Sequence, residues 1–134
     1  MKLMLDTNIC IYIIKQKPAE VLVRFADYEV GDIAISSITV AELQFRIMKS
    51  QQPGRNQQAL DQFLFPLSTL DFDRAAAVSY GECRAALESQ GRPIGALDML
   101  IAAHALSRGL TLVTNNTGEF SRIPGLTTEN WVTN

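Results

Sequence analysis

The sequence holds one histidine, two cysteines and one tryptophan, and no apolar run approaches the ~20 residues a membrane span needs. The scarcity of sulfur and imidazole argues against a zinc site or a disulfide. Cys10 and Cys83 lie far apart in apolar helical context and read as packing thiols. His104 has no partner at metal-ligand spacing and reads as a packing or surface residue. The N-terminus lacks the basic stretch, apolar core and small-residue cleavage site of a secretory signal, so a cytoplasmic location is expected. There is no GxxxxGK phosphate loop, which leaves nucleotide hydrolysis without support. Twelve basic against 14 acidic residues give a net charge of −2. No global positive field therefore draws in nucleic acid, although a local basic rim around an acidic centre stays compatible with this balance. No internal repeat, linker or low-complexity segment interrupts the chain.

What is present is a globular composition, 47% hydrophobic and 19% charged over 134 residues, and it predicts one domain across residues 1–134 with room for a real core. Its organising stretch is the start, Lys2-Leu3-Met4-Leu5-Asp6-Thr7-Asn8. Leu3-Met4-Leu5 is too short for a free helix and lacks polar alternation, so it reads as a strand buried on both faces. Asp6 follows where the strand stops and a helix begins, the place where open parallel α/β sheets bind ligands.

The rest of the chain repeats that rhythm. Helices are predicted over 7–15, ended by Pro18, and over 19–28, with Val21, Leu22 and Phe25 at core spacing. A turn at Gly31-Asp32 leads to a buried strand over 33–35, then a helix over 39–49 with Val40, Leu43 and Ile47 on one face. After the loop 51–55 come a helix over 55–64, a strand over 67–70, and a long alanine-rich helix over 74–90 capped by the Asp71–Asp73 turn. A turn at 91–95 precedes a helix over 97–107 closed by Gly109, then a strand over 110–113 and the polar turn Asn115-Asn116-Thr117-Gly118-Glu119. Alternation of this kind predicts an α/β fold in three layers: a central, mostly parallel sheet of four to five strands flanked by helices.

Four acids stand at strand ends or helix starts, and each has a structural explanation as well as a chemical one. Asp6 is placed to cap a helix, Glu42 follows Thr39 at capping-box spacing, Asp98 lies in a first helical turn, and Glu119 stands three residues after Asn116. Right-handed strand-to-helix connections deliver strand ends to one edge of a sheet, so the same acids are expected to converge. Two carboxylates ~4 Å apart repel by about 4 kcal/mol at an effective dielectric of about 20, so a cluster of four needs protons or a cation. An all-oxygen donor set selects Mg²⁺ or Mn²⁺, and the chemistry that follows is metal-assisted phosphodiester hydrolysis. Thr7, Asn8, Ser37, Thr114, Asn115 and Asn116 are neutral polar groups on the same edge, suited to orient carboxylates or metal-bound waters, or simply to cap turns. Among the cations Lys15, Lys17, Arg46, Lys49, Arg55, Arg84, Arg92 and Arg108, those singled out for phosphate contact are Arg92, whose loop leads to Asp98, with Arg46 and Lys49. Tyr12, Phe25, Phe45 and Phe63 fall at helical spacing and read mainly as core, with a partner groove or dimer face as the alternative, and Trp131 is expected to anchor the C-terminal segment.

Met4-Leu5-Asp6-Thr7-Asn8, Ser37-x-x-x-x-Glu42-Leu43, Gly91-Arg92-Pro93-Ile94-Gly95-x-x-Asp98 and Thr114-Asn115-Asn116-x-x-Glu119-Phe120, in this order and spacing, resemble the PIN-domain ribonucleases of the VapC toxin type. The resemblance implies a PIN-like fold, with Asp6, Glu42, Asp98 and Glu119 as the acidic quartet binding Mg²⁺ or Mn²⁺. It implies a toxin restrained by a VapB-type antitoxin, a homodimer within a hetero-oligomeric complex that binds promoter DNA through the antitoxin. It also implies an RNA substrate, tRNA by the branch it looks most like, cut in the anticodon stem-loop of initiator tRNA so that translation stops. Arg46 departs from the pattern, standing where the family commonly has a small residue, and many relatives carry aspartate rather than Glu119 in the last turn.

Two other readings remain to be separated from this one. A haloacid-dehalogenase-like phosphatase also opens with a strand ending in aspartate, but needs a second aspartate where Asn8 stands. A catalytically inactive PIN-like module binding RNA or protein would be marked by loss of an acid, and all four positions hold one.

Overall fold

Leu3–Leu5 (β1) is fully buried, and its side chains divide between two cores. Leu3 and Leu5 join one cluster with Ile9, Ile13, Ile33, Ile35, Leu43 and Leu60, whereas Met4 points the other way, into a cluster with Ala34, Leu87, Met99, Ile101, Leu112 and Phe120. This follows from the two-residue period of a strand, and it explains why an unbroken apolar run marks a central strand. The computed structural model describes residues 1–133.

The other strands are Ile33–Ser36 (β2), Ser68–Leu70 (β3), Thr111–Val113 (β4) and Thr128–Glu129 (β5). They pair in the order β3-β2-β1-β4-β5, every pairing parallel. All five carboxyl ends therefore open on one edge, with β1 at the centre. The helices are Thr7–Lys15 (α1), Ala19–Ala26 (α2), Ser37–Lys49 (α3), Pro53–Leu64 (α4), Arg74–Ser89 (α5), Ala96–Ser107 (α6) and Thr117–Phe120 (α7). Residues of α1 to α4 fill one cluster and residues of α5 to α7 the other, which makes three layers with the sheet between them.

Several boundaries differ from expectation for identifiable reasons. α3 starts at Ser37 rather than Thr39, because the Ser36 hydroxyl accepts the Ile38 N–H at 3.1 Å and is the cap. The Thr39–Glu42 capping box is thereby overturned. Thr39 is buried inside the first turn, and Glu42 lies beyond it. α4 starts at Pro53, inside the stretch read as loop, because proline suits a first helical position. α2 ends at Ala26, two residues early, where the Asp27 and Tyr28 N–H groups turn back to Arg24 and Phe25. A 3-10 turn at Val30–Asp32 leads into β2. Gly109, at φ 65°, closes α6 in the left-handed conformation.

Cys10 and Cys83 are buried free thiols. Trp131 is 1% exposed and stacks on Tyr28 at 5.8 Å between centroids, with the Arg24 guanidinium 6.0 Å from its ring and paired to Glu129. The C-terminal segment is thus pinned to α2. No helix among the described residues is long and apolar enough to cross a membrane.

Candidate active site

Asp6 leaves β1 at its carboxyl end and caps α1, its Oδ1 accepting the Ile9 N–H at 2.9 Å. The capping explanation is therefore true, but it uses one oxygen. Asp6 is 5% exposed. Burial pushes its carboxyl up and the Glu42 charge adds to the rise, while the Thr114 hydroxyl and the Ile9 and Asn8 N–H groups pull it down.

Glu42 reaches the same edge from the second turn of α3. Its Oε1 accepts the Thr7 hydroxyl at 2.8 Å, which ties α3 to the start of α1. Asp98 arrives differently, in the first turn of α6. That helix precedes β4, so its amino end lies at the carboxyl edge of the sheet. Glu119, on α7 after β4, is held by two donors: the Gly95 N–H to Oε1 at 3.0 Å and Asn116 Nδ2 to Oε2 at 2.7 Å. A methyl group on Gly95 would lie 3.6 Å from Asp98 Oδ2 and 3.9 Å from Glu119 Oε1, so these two carboxylates flank one point.

The Asp98 carboxyl is pushed up to about 6, by burial first and then by the charges of Glu119, Asp6 and Glu42 in that order. It feels all three other acids. Among the described residues none of the four makes an ion pair. Nor do three His, Cys, Asp or Glu side chains among those residues stand close enough to form a finished metal cage. The neighbours account for this spacing: Glu42 is drawn to Thr7 and Glu119 to Gly95 and Asn116, while like charges favour separation.

The neutral polar residues divide. Thr7, Thr114 and Asn116 serve the acids: Thr7 bonds Glu42, Asn116 bonds Glu119, and the Thr114 hydroxyl, whose Oγ1 accepts the Asn116 N–H at 3.0 Å, lowers the Asp6 carboxyl. Asn8 is exposed and meets Asp6 through its backbone. Asn115 turns away, Nδ2 donating to the Tyr12 hydroxyl at 3.2 Å. Ser37 is also drawn elsewhere: its hydroxyl accepts the Phe72 N–H at 3.0 Å and secures the segment after β3. The reason is topological, since Ser37 begins α3 beside the neighbouring strand end.

Arg92 is exposed in the loop before α6 and has no ion-pair partner among the described residues. Arg122, which no motif picks out, braces that loop by donating to the Pro93 carbonyl at 3.1 Å. The Gly95 N–H is the other unforeseen contributor, since the pattern identifies Gly95 only as a turn residue. Arg46 and Lys49 line an open groove of about 550 Å³ that runs from Glu42 along α3 to Leu97. His104 is buried, its Nδ1 2.8 Å from the Ser36 hydroxyl and its ring edge-on to Phe72, a packing role under α3.

Comparison with known proteins agrees with this architecture. The PIN domain family matches residues 3–126. The chain is 52% identical to the tRNA(fMet)-specific endonuclease VapC of Shigella flexneri over 131 residues, 98% of each. It superposes on a chain of the DNA-bound VapBC of Salmonella typhimurium with a TM-score of 0.93 at 46% identity, covering 98% of this chain and 99% of that one. VapBC2 of Rickettsia felis, bound to a DNA fragment from its promoter, gives a TM-score of 0.88 at 46% identity, covering 98% and 100%. The chain belongs to the PIN-domain nucleases, in the VapC family.

Proposed function

We propose that this protein is the toxic component of a toxin–antitoxin module, a divalent-metal-dependent endoribonuclease that cuts tRNA and stops translation in the cytoplasm. The observation that carries this reading is the Asp98 carboxyl, raised to about 6 by burial and by the charges of the other three acids. Together with the absence of any ion-pair partner for the four acids among the described residues, it describes an oxygen-only pocket short of positive charge. That deficit fits Mg²⁺, with Mn²⁺ as a substitute. Asp6, Glu42, Asp98 and Glu119 would hold the ion. When bound, it supplies a polarised phosphate, an acidified water and charge neutralisation at the leaving oxygen.

The chain's own groups prepare that pocket. The Thr7 hydroxyl occupies one oxygen of Glu42 and leaves the other free. Asn116 and the Gly95 N–H each take one oxygen of Glu119, which fixes the plane of its carboxylate. The Ile9 N–H holds Asp6 Oδ1. Three of the four acids, Asp6, Glu42 and Glu119, thus enter with their orientation set by a neighbour, as ligand positioning requires.

The substrate and partners follow from similarity. A relative of half-identical sequence is named for tRNA(fMet), which favours initiator tRNA, and the family resemblance adds the anticodon stem-loop as the place of the cut. The DNA-bound VapBC complexes favour a VapB-type antitoxin and a complex that meets promoter DNA, and the family resemblance adds a toxin homodimer with DNA contact through the antitoxin. The test is cleavage by the purified protein, free of any partner, of total tRNA with Mg²⁺, with EDTA, and by the Asp98→Asn variant. Discrete fragments only in the first lane are expected. Folded, metal-supplied protein that cuts nothing would favour the inactive RNA- or protein-binding module instead.

A further inference from the structure

On α3, Glu42, Phe45, Arg46 and Lys49 stand at helical spacing i, i+3, i+4 and i+7, so they share one face. By helical rise that face runs about 10 Å along the axis away from the acid pocket. Leu43 and Ile47 on the same helix are buried, as amphipathic patterning requires, but Phe45 is 62% exposed. The core reading therefore fails for this aromatic, while Tyr12, Phe25 and Phe63 do pack against the core. The Lys49 ammonium lies 5.2 Å from the Phe45 ring centroid. Neither Lys49 nor Arg46 has an ion-pair partner among the described residues. The groove they line ends at Glu42 on one side, and Leu97, next to Asp98, forms its other wall at 46% exposure.

An exposed aromatic ring flanked by two unpaired cations offers two things in one place: a flat apolar face and positive charge. An unstacked nucleotide presents their complements, a base with a π-face and a phosphate anion. We propose that this groove is a single-stranded RNA subsite, in which a nucleobase beside the scissile bond stacks on Phe45 while Lys49 and Arg46 hold the adjoining phosphates. The inference rests on the ribonuclease reading and adds the subsite that selects an unpaired nucleotide, since a base inside a helix cannot present its face to Phe45. Charge favours RNA over a second copy of this chain. Two cations against the single acid Glu42 leave this face net positive, which complements a phosphate backbone and repels a second copy of the same face.

The experiment measures binding apart from cleavage. Asp98→Asn protein in EDTA is titrated against a fluorescein-labelled tRNA anticodon stem-loop at fixed salt, and Phe45→Leu, Phe45→Trp and Lys49→Gln are added singly to that background. Phe45→Leu, which stays apolar but cannot stack, is expected to weaken binding about tenfold, within the range for loss of one base–aromatic stack. Phe45→Trp should bind at least as well as the parent, and Lys49→Gln should weaken binding and flatten its salt dependence. Phe65→Leu, at an exposed aromatic outside the groove, should change nothing. In the active protein, Phe45→Leu should raise KM with little change in kcat. Binding by Phe45→Leu equal to the parent, or no RNA binding by the parent, overturns the subsite. So does a shift of Phe45→Leu to a smaller species in sedimentation, which would assign the face to protein contact. Loss of binding in Phe45→Leu without cleavage by the active protein would leave the subsite standing and remove only the nuclease reading.

Discussion

The Thr7 hydroxyl donates to Glu42 Oε1 at 2.8 Å across 35 residues of sequence. One short bond joins the start of α1, already capped by Asp6, to the second turn of α3. The two acids are thereby positioned by a single residue, Thr7, lying beside one and bonded to the other.

Removing that hydroxyl should loosen Glu42 without emptying the core. Thr7→Val is expected to lower RNA cleavage or metal affinity about 10-fold, in the range seen when a ligand's supporting hydrogen bond is lost. Thr7→Ser, which keeps the donor, should stay near the parent. Equal cleavage by Thr7→Val would show that Glu42 needs no support.

Asp98 sets a pH dependence whose sign can be worked out. Its carboxyl is raised from 3.8 to about 6 in the fold. The folded state then holds the proton more tightly than the unfolded chain, so this group's contribution to stability is present below 3.8 and lost as pH rises through about 6. His104 acts the other way: burial lowers it from 6.5, so its contribution is present above 6.5 and lost as the pH falls through its folded-state value. The difference between parent and Asp98→Asn isolates the carboxylate. In EDTA, Asp98→Asn should gain Tm relative to the parent at pH 7.5 and lose that gain toward pH 5.

The same repulsion predicts a metal response. Mn²⁺ or Mg²⁺ at millimolar concentration should raise the Tm of the parent at neutral pH, because an ion that binds only the folded state stabilises it by mass action. Asp98→Asn should respond less. A flat parent response would count against a preformed acidic site.

Gly95 offers a milder perturbation. An alanine methyl there would meet Asp98 Oδ2 at 3.6 Å and Glu119 Oε1 at 3.9 Å, ordinary contact without a clash. Loss of glycine at the cap position should cost about 0.5 kcal/mol in urea unfolding. Cleavage should fall more than that stability change explains, because the methyl crowds the space between two carboxylates. An unchanged kcat/KM would place the working site elsewhere.

Ser36 tests the scaffold beneath the pocket. It is fully buried, caps α3 through the Ile38 N–H at 3.1 Å, and lies 2.8 Å from His104 Nδ1. Ser36→Ala removes both partners and leaves the imidazole without its bond, so a loss of about 1–3 kcal/mol is expected from urea unfolding. A smaller loss would mean that His104 finds another partner.

The sequence by itself determined the layers and the approach of the acids. Leu3-Met4-Leu5 and Ile33-Ala34-Ile35 are apolar without alternation, and a short run of that kind is stable only between two covering layers; Leu110 to Val113 departs from this only at Thr111. With parallel strands alternating with helices, Asp6 and Glu119 had to reach one edge. Tertiary structure decided what local pattern cannot encode. β5 is a two-residue edge strand, Thr128–Glu129, held by backbone pairing to β4, and no side-chain period marks it. The Thr39–Glu42 spacing suggests a capping box, yet Ser36 caps the helix and Glu42 turns to Thr7, because a partner 35 residues away became available only on folding. Ser37 belongs by motif to the acid pocket but bonds Phe72, and Phe45, an aromatic read as core, shares the face of Glu42 and Lys49 and lies in the open groove. Periodicity says which face of a helix a residue takes; only the packing of the sheet says what that face meets.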